Sequence, residues 1–244
     1  MLRRRRCPLT SQRADPLLRS SRSRLTRHQI PRFPGETLFD RLARTVCGAE
    51  CLPRKELYEA WEVAKRVRRR FRGGTVVDIA GGHGLVAFSM LLLDNSSPNA
   101  VVVDRRRPAS FDRLEAALTE AWPRLAGRIT YEEMNLEEYE APKDALLLGV
   151  HACGPLTDRV IDMAIQGRTR VAVLPCCHSL DRCDTGALEG WLTGPVAIDA
   201  TRVARLRAEG FRVRTGTIPA DITPENRLLI AEPEKQPHGS TAAG

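Results

Sequence analysis

Two short segments gather residues that can do chemistry. One is His151-Ala152-Cys153-Gly154-Pro155-Leu156-Thr157-Asp158, and the other is Pro175-Cys176-Cys177-His178. An imidazole can take a proton from a reacting hydroxyl or amine, or orient that group. A thiolate is a nucleophile and a soft metal ligand. His151, Cys153, Cys176 and His178 are therefore the catalytic candidates. His-x-Cys plus Cys-Cys-His also offers donors of the kind zinc prefers. The spacing matches none of the paired Cys patterns of zinc modules, and adjacent cysteines serve one tetrahedral ion poorly, so no metal site is assigned. Cys177 and Cys183 read as small buried apolar residues, the commonest role of cysteine.

A third segment points to a nucleoside-bearing ligand. Val76-Val77-Asp78-Ile79-Ala80-Gly81-Gly82-His83-Gly84 is a β-branched run that ends in a glycine cluster. In open α/β sheets, ligands bind beyond the carboxyl ends of the strands. Glycines there remove the Cβ atoms that would block close approach. Asp78, just before the turn, can help receive an amine-bearing ligand. Asp104 follows 26 residues later, at the end of the next apolar run. A carboxylate there can accept both hydroxyls of a ribose. Gly81, Gly82 and Gly84 fit G-x-G-x-x-G in no register, which counts against a dinucleotide. They fit the S-adenosylmethionine pattern, an acidic residue two before G-x-G-x-G, with Ala80 in place of the first glycine. Asn135 and Leu136, after the third run, are placed to bond the edge and cover the face of an adenine.

These segments need elements to hold them. Helical spacing is expected over Leu38–Val46 and Arg54–Phe71, the second through Leu57, Trp61, Ala64 and Val67. Strands are expected at Thr75–Ile79, Ala100–Val103, Ile129–Glu133, Ala145–Val150 and Arg170–Leu174. Helices are expected between them at Leu85–Leu93, Phe111–Trp122 and Thr157–Ile165, with a later one at Thr201–Glu209. Phe211–Ile218 and Arg227–Ala231 close the chain as a strand pair. The alternation implies a doubly wound, Rossmann-like α/β fold with a mostly parallel sheet of seven strands. The glycine turn and both His/Cys segments should then meet at one carboxyl edge. Glu56, Glu59 and Glu62 read as a polar helix face, and Lys65–Arg72 as a solvated one.

The strings His151-Ala152-Cys153-Gly154-Pro155-Leu156-Thr157-Asp158 and Pro175-Cys176-Cys177-His178, with Ile222-Thr223-Pro224-Glu225-Asn226-Arg227 before the last strand, resemble a branch of class I S-adenosylmethionine-dependent methyltransferases. That branch includes the eukaryotic tRNA acceptor-stem 2′-O-methyltransferase and related methyltransferase-domain proteins. The resemblance covers roughly residues 54–233. It implies S-adenosylmethionine as cofactor and RNA, tRNA in particular, as a candidate substrate. The small zinc-binding modules of the tRNA enzyme have no counterpart here, which separates this chain from that enzyme's substrate.

Composition sets the frame. The 244 residues carry a net charge of +8. Ten Arg against one acidic residue, Asp15, give residues 1–34 a charge of +9, so the remaining chain carries −1. Residues 1–34 are expected to be a disordered basic extension: a nucleic-acid arm, an organelle transit peptide or an over-long start. Residues 35–233 form the expected catalytic domain, and 234–244 a loose tail. No run reaches the roughly 20 apolar residues that span a bilayer. Seven cysteines, an odd number, with no secretory signal suggest a reducing, cytoplasmic setting. Aromatics are only 5% of residues, which provides no evident base-stacking platform. Two further functions stay open at this stage: an NAD-dependent oxidoreductase, and a non-catalytic RNA- or protein-binding module on a degenerate methyltransferase fold. A small molecule or a protein also stays open as substrate.

Overall fold

The computed structural model describes residues 18–234. The first 17 residues of the basic segment and residues 235–244 of the tail lie outside the described residues. Seven strands form one sheet: β1 (Val76–Ile79), β2 (Ala100–Asp104), β3 (Ile129–Glu133), β4 (Leu146–Gly149), β5 (Arg170–Val173), β6 (Phe211–Thr217) and β7 (Arg227–Pro233). Their order is β3-β2-β1-β4-β5-β7-β6. β1 to β5 pair in parallel, and β7 runs antiparallel between β5 and β6. The order reverses between β1 and β4, so the crevice outside their carboxyl ends is where a ligand is expected.

Side chains alternate across the sheet. Val76, Ala100, Val102, Leu146 and Leu148 pack under α1 (Leu38–Ala49), α2 (Arg54–Arg68), α3 (Leu85–Leu93) and α4 (Ala109–Ala121). Val77, Ile79, Val101, Val103 and Leu147 pack under α5 (Pro155–Gly167) and α6 (Gly194–Ala208). With both faces covered, the central strands are apolar throughout rather than alternating. Among the described residues, no helix is long and apolar enough to cross a membrane.

Two boundaries differ from expectation. The fold begins before residue 35. Leu25 and Phe33 are buried in the core, the Leu25 amide donates to the Leu52 carbonyl at 2.8 Å, and a 3₁₀ turn spans Arg27–Arg32. The arginine-rich composition hid two apolar anchors. α6 starts seven residues before Thr201, because Pro195 sits in its first turn, where the missing N–H costs nothing. The Lys65–Arg72 cluster is also less solvated than its composition suggests. Arg68 is buried and donates to the Met90 carbonyl and Ser97 hydroxyl, and Arg72 pairs with Asp94 at 2.9 Å. These guanidiniums tie α2 to the end of α3.

The turn after β1 rests on Asp78. Its side chain points to the α3 face and is 1% exposed. One carboxylate oxygen accepts from the Ala87 N–H at 3.2 Å, on the third residue of α3. This satisfies an amide that the helix start leaves free. Burial pushes the Asp78 carboxyl up to about 7, against the pull of that hydrogen bond. Gly81 passes so close that a Cβ would lie 2.8 Å from the Asp78 carboxyl carbon, the Asp78 carbonyl and Val102.

Two stability measurements test this arrangement. Gly81→Ala forces backbone and strand apart and should cost about 1–3 kcal/mol in urea denaturation. The second concerns pH. Between about pH 4 and about pH 7 the folded chain keeps the Asp78 proton that the unfolded chain has released, so the group's contribution falls as pH rises. The native chain should therefore lose stability relative to Asp78→Asn between pH values of about 4 and about 7. A flat difference would remove the buried carboxyl from the argument.

Candidate functional site

A cleft of about 430 Å³ opens at the carboxyl edge of β1, β2 and β4. Ala80 from the β1 turn, Val103 and Asp104 from the end of β2, and Met134 and Leu136 after β3 form one side. Cys153 and Leu156 after β4, with Arg159 on α5, form the other, and Arg105 and Arg182 flank it. Asp104 is the polar centre. Its Oδ2 accepts from the Gly82 N–H at 3.0 Å and its Oδ1 from the Arg105 N–H at 2.7 Å. The two amides fix the carboxylate, and its remaining lone pairs face the cleft. The turn itself needs left-handed backbone at Ala80 (φ 52°), Gly82 (φ 50°) and Gly84 (φ 73°). Ala80 bears that conformation with a Cβ, a strain of about 1–2 kcal/mol.

The other cofactor candidates divide. Leu136 lines the cleft as expected. Gly81 and Gly84 serve packing: a Cβ at Gly84 would press on Phe111 and Val102 at 3.0 Å. Asp78 lies beneath the turn and holds α3 rather than lining the cleft. Asn135 also departs from its expected role, because its amide donates to Glu138 at 3.1 Å and its neighbours Met134 and Leu136 form the wall.

The His/Cys segments meet at the same edge, since β4 and β5 are parallel neighbours. Cys153 Sγ lies 2.9 Å from Cys176 Sγ, and Cys176 Sγ lies 3.9 Å from Cys177 Sγ. The Cys176 thiol hydrogen bond, opposed by burial, draws the Cys153 thiol down to about 6, and Cys176 is pushed up in return. Cys177 is exposed and belongs to this group, contrary to the buried apolar role its sequence suggested. Cys183 is buried, as expected.

His151 packs inward. Burial and the neighbouring His83 bring its imidazole down to about 4, so it is neutral at pH 7. Its Nε2 is buried without a hydrogen-bond partner, and its ring stands 6.4 Å from that of His83. His83 Nδ1 accepts from the Leu85 N–H at 3.1 Å, so its Nε2 carries the proton and donates to Glu56 at 2.6 Å. Burial works against the Glu56 carboxylate, but the His83 bond outweighs it and holds the carboxyl below its usual value. Glu56 was read as part of a polar face. It stands four residues before Ala60 and seven before Val63, on the helix line that faces the core, and that spacing was the available signal. Glu59, on the same helix, is buried beside Lys55 at 3.2 Å.

His178 leaves the cleft altogether. Its buried ring bonds Asp199 of α6 at 2.9 Å. Asp199 also accepts from Arg227 at 2.7 Å and Arg202 at 3.2 Å. His178, expected among the catalytic residues, does not line the cleft: its ring faces α6 and not the thiols. Arg202, buried, makes a two-pronged pair with Asp158 at 2.7 and 2.8 Å and donates to the Gly154 carbonyl at 3.0 Å. It thereby pins the loop that carries Cys153. The Ile222–Arg227 segment contributes through Arg227, which delivers its guanidinium to Asp199 and Glu225.

The donor set fits an adenosine-bearing methyl donor. A fixed carboxylate at the end of β2 suits a ribose diol, the apolar walls Val103, Met134 and Leu136 suit a purine, and the volume lies in the range of ligand clefts. A family model described as a methyltransferase domain matches residues 55–182. No curated protein matches the chain. Among solved structures, an O-methyltransferase family protein from Burkholderia thailandensis is similar with a TM-score of 0.49 and 20% identity, over 86% of this chain and 63% of that one. The B. subtilis M1A22 tRNA methyltransferase TrmK has a TM-score of 0.46 and 12% identity, over 70% of this chain and 65% of that one. The pyocyanin biosynthetic protein PhzM has a TM-score of 0.47 and 18% identity, over 85% and 61%. The chain spans less than two thirds of the length of each of these three proteins. Because the methyltransferase-domain model covers just over half of its residues, the chain belongs to that family, with S-adenosylmethionine as its cofactor.

Proposed function

We propose that this chain methylates RNA at a hydroxyl or amine brought to the mouth of the Asp104 cleft. The observation that carries the reading is the trio Arg105, Arg159 and Arg182 around a cleft whose own centre is a carboxylate. The carboxylate suits the cofactor's ribose, whereas the three guanidiniums suit a second, anionic ligand. Arg159 Nε is buried without a hydrogen-bond partner, so a phosphate oxygen there would satisfy it. Trp191, 87% exposed, lies on the same β5–α6 segment as Arg182 and offers a face for an unstacked base.

S-adenosylmethionine supplies an electrophilic methyl group on its sulfonium. The chain's own work is positional. Asp104, held in place by the Gly82 N–H, fixes the ribose end, and Leu136 covers the purine. Cys153, the one catalytic candidate that lines the cleft, accepts a hydrogen bond from the incoming nucleophile and aligns it for transfer.

Incubation with labelled S-adenosylmethionine and separate RNA, protein and metabolite fractions tests the reading. Label is expected in RNA. Asp104→Ala should weaken S-adenosylhomocysteine binding at least about tenfold by calorimetry, the worth of hydrogen bonds to a charged group. Arg159→Ala should raise KM for RNA with cofactor binding unchanged. Label in protein or metabolites alone would overturn the RNA assignment. RNA affinity without any transfer would point instead to a binding module.

A further inference from the structure

We propose that Cys153, Cys176 and Cys177 bind one zinc ion, with its fourth coordination position open toward the cleft. The three sulfurs lie within 4.8 Å of one another, the only such group of potential metal ligands among the described residues. Zinc–sulfur bonds of about 2.3 Å in a tetrahedron place sulfurs roughly 3.8 Å apart. The Cys176–Cys177 separation of 3.9 Å already has that value. The Cys153–Cys176 pair, at 2.9 Å, must open by about 1 Å. Adjacent cysteines, which looked unsuited to one ion in the sequence, hold their sulfurs at that tetrahedral spacing in the irregular stretch after β5.

The thiols are not packing residues. Cys153 and Cys177 are exposed, whereas a cysteine kept for packing is buried, as Cys47, Cys51 and Cys183 are. The two loops are also braced as a unit. The Gly154 N–H donates to the Cys177 carbonyl at 3.1 Å, and buried Arg202 holds the Gly154 carbonyl from the other side. Gly154 has φ 57°, a conformation that lets the chain double back between these two contacts. Such bracing around soft donors is what a metal site needs beyond its ligands. Binding would release the remaining thiol protons to solvent. Three protein ligands leave the fourth position to an exchangeable ligand, as in zinc sites that take part in chemistry. Cys153 lines the cleft, so the ion would sit at the cleft's edge.

Metal uptake is read without any methyl transfer, so it stands apart from the RNA assignment. The full chain, purified under reducing conditions, should take up one zinc per chain by elemental analysis. Cobalt in its place should give thiolate-to-metal charge-transfer absorption. Cys176→Ser and Cys177→Ser should each weaken zinc binding at least tenfold, whereas Cys47→Ser should not. Exposed Cys153→Ser serves where Cys176→Ser fails to fold by circular dichroism. Absence of zinc uptake by the reduced chain would overturn the proposal. So would uptake unchanged in all three serine variants, or a Cys153–Cys176 disulfide that persists under reduction.

Discussion

Parallel pairing of β1 with β2 and β4, and of β4 with β5, is the constraint on which the rest depends. Parallel strands all discharge their chains at one edge. The glycine turn, Asp104, the Cys153 loop and the Cys176–Cys177 stretch therefore converge although they are far apart in sequence. Each strand is only four or five residues long and buried on both faces, so the edge is rigid. Loops that leave such an edge can be irregular without losing position. The strained backbone at Ala80 and the doubled-back Gly154 both occur there.

Buried charge does the second half of the positioning. Asp78 under the turn spends its carboxylate on the first turn of α3. Arg202 spends its guanidinium on Asp158, Asp199 and the Gly154 carbonyl. Arg202 has carboxylate partners on α5 and α6, and removing one side of such a pair would leave the other desolvated and unpaired, which is the costly case. The Arg202 network thereby couples α5, α6 and the start of β7 to the loop that carries the cleft cysteine. His178 belongs to that network through its 2.9 Å bond to Asp199.

The cleft carries both signs of charge. Asp104 and Glu137 line it beside the apolar walls Val103, Met134 and Leu136, and Arg105, Arg159 and Arg182 line it too. Cys153 brings the thiol group to the same cleft. Glu56, His83 and His151 form a separate cluster, in which His83 bonds the Glu56 carboxylate and the inner His151 ring is neutral at pH 7.

The alternation of apolar runs with helical spacing made the α/β fold legible, because burial on both faces makes each strand a continuous apolar segment. The glycine turn was legible because turn chemistry needs specific residue types at fixed offsets, and Asp104 lines the cleft to which its place at the end of β2 pointed. Leu25 and Phe33 were hidden because composition averages over single anchors. The first turn of α6 was missed because only the helix around Pro195 shows that it occupies such a turn. Side-chain direction was the larger gap. His178 and Cys177 are adjacent, yet one faces α6 and the other the thiols, and only packing decides between them. Asp78 and Asn135 carried the right chemistry but spent it on α3 and Glu138. Sequence determined which residue types reach the carboxyl edge. Tertiary structure decided which of them face the cleft, because that choice rests on partners drawn from distant elements.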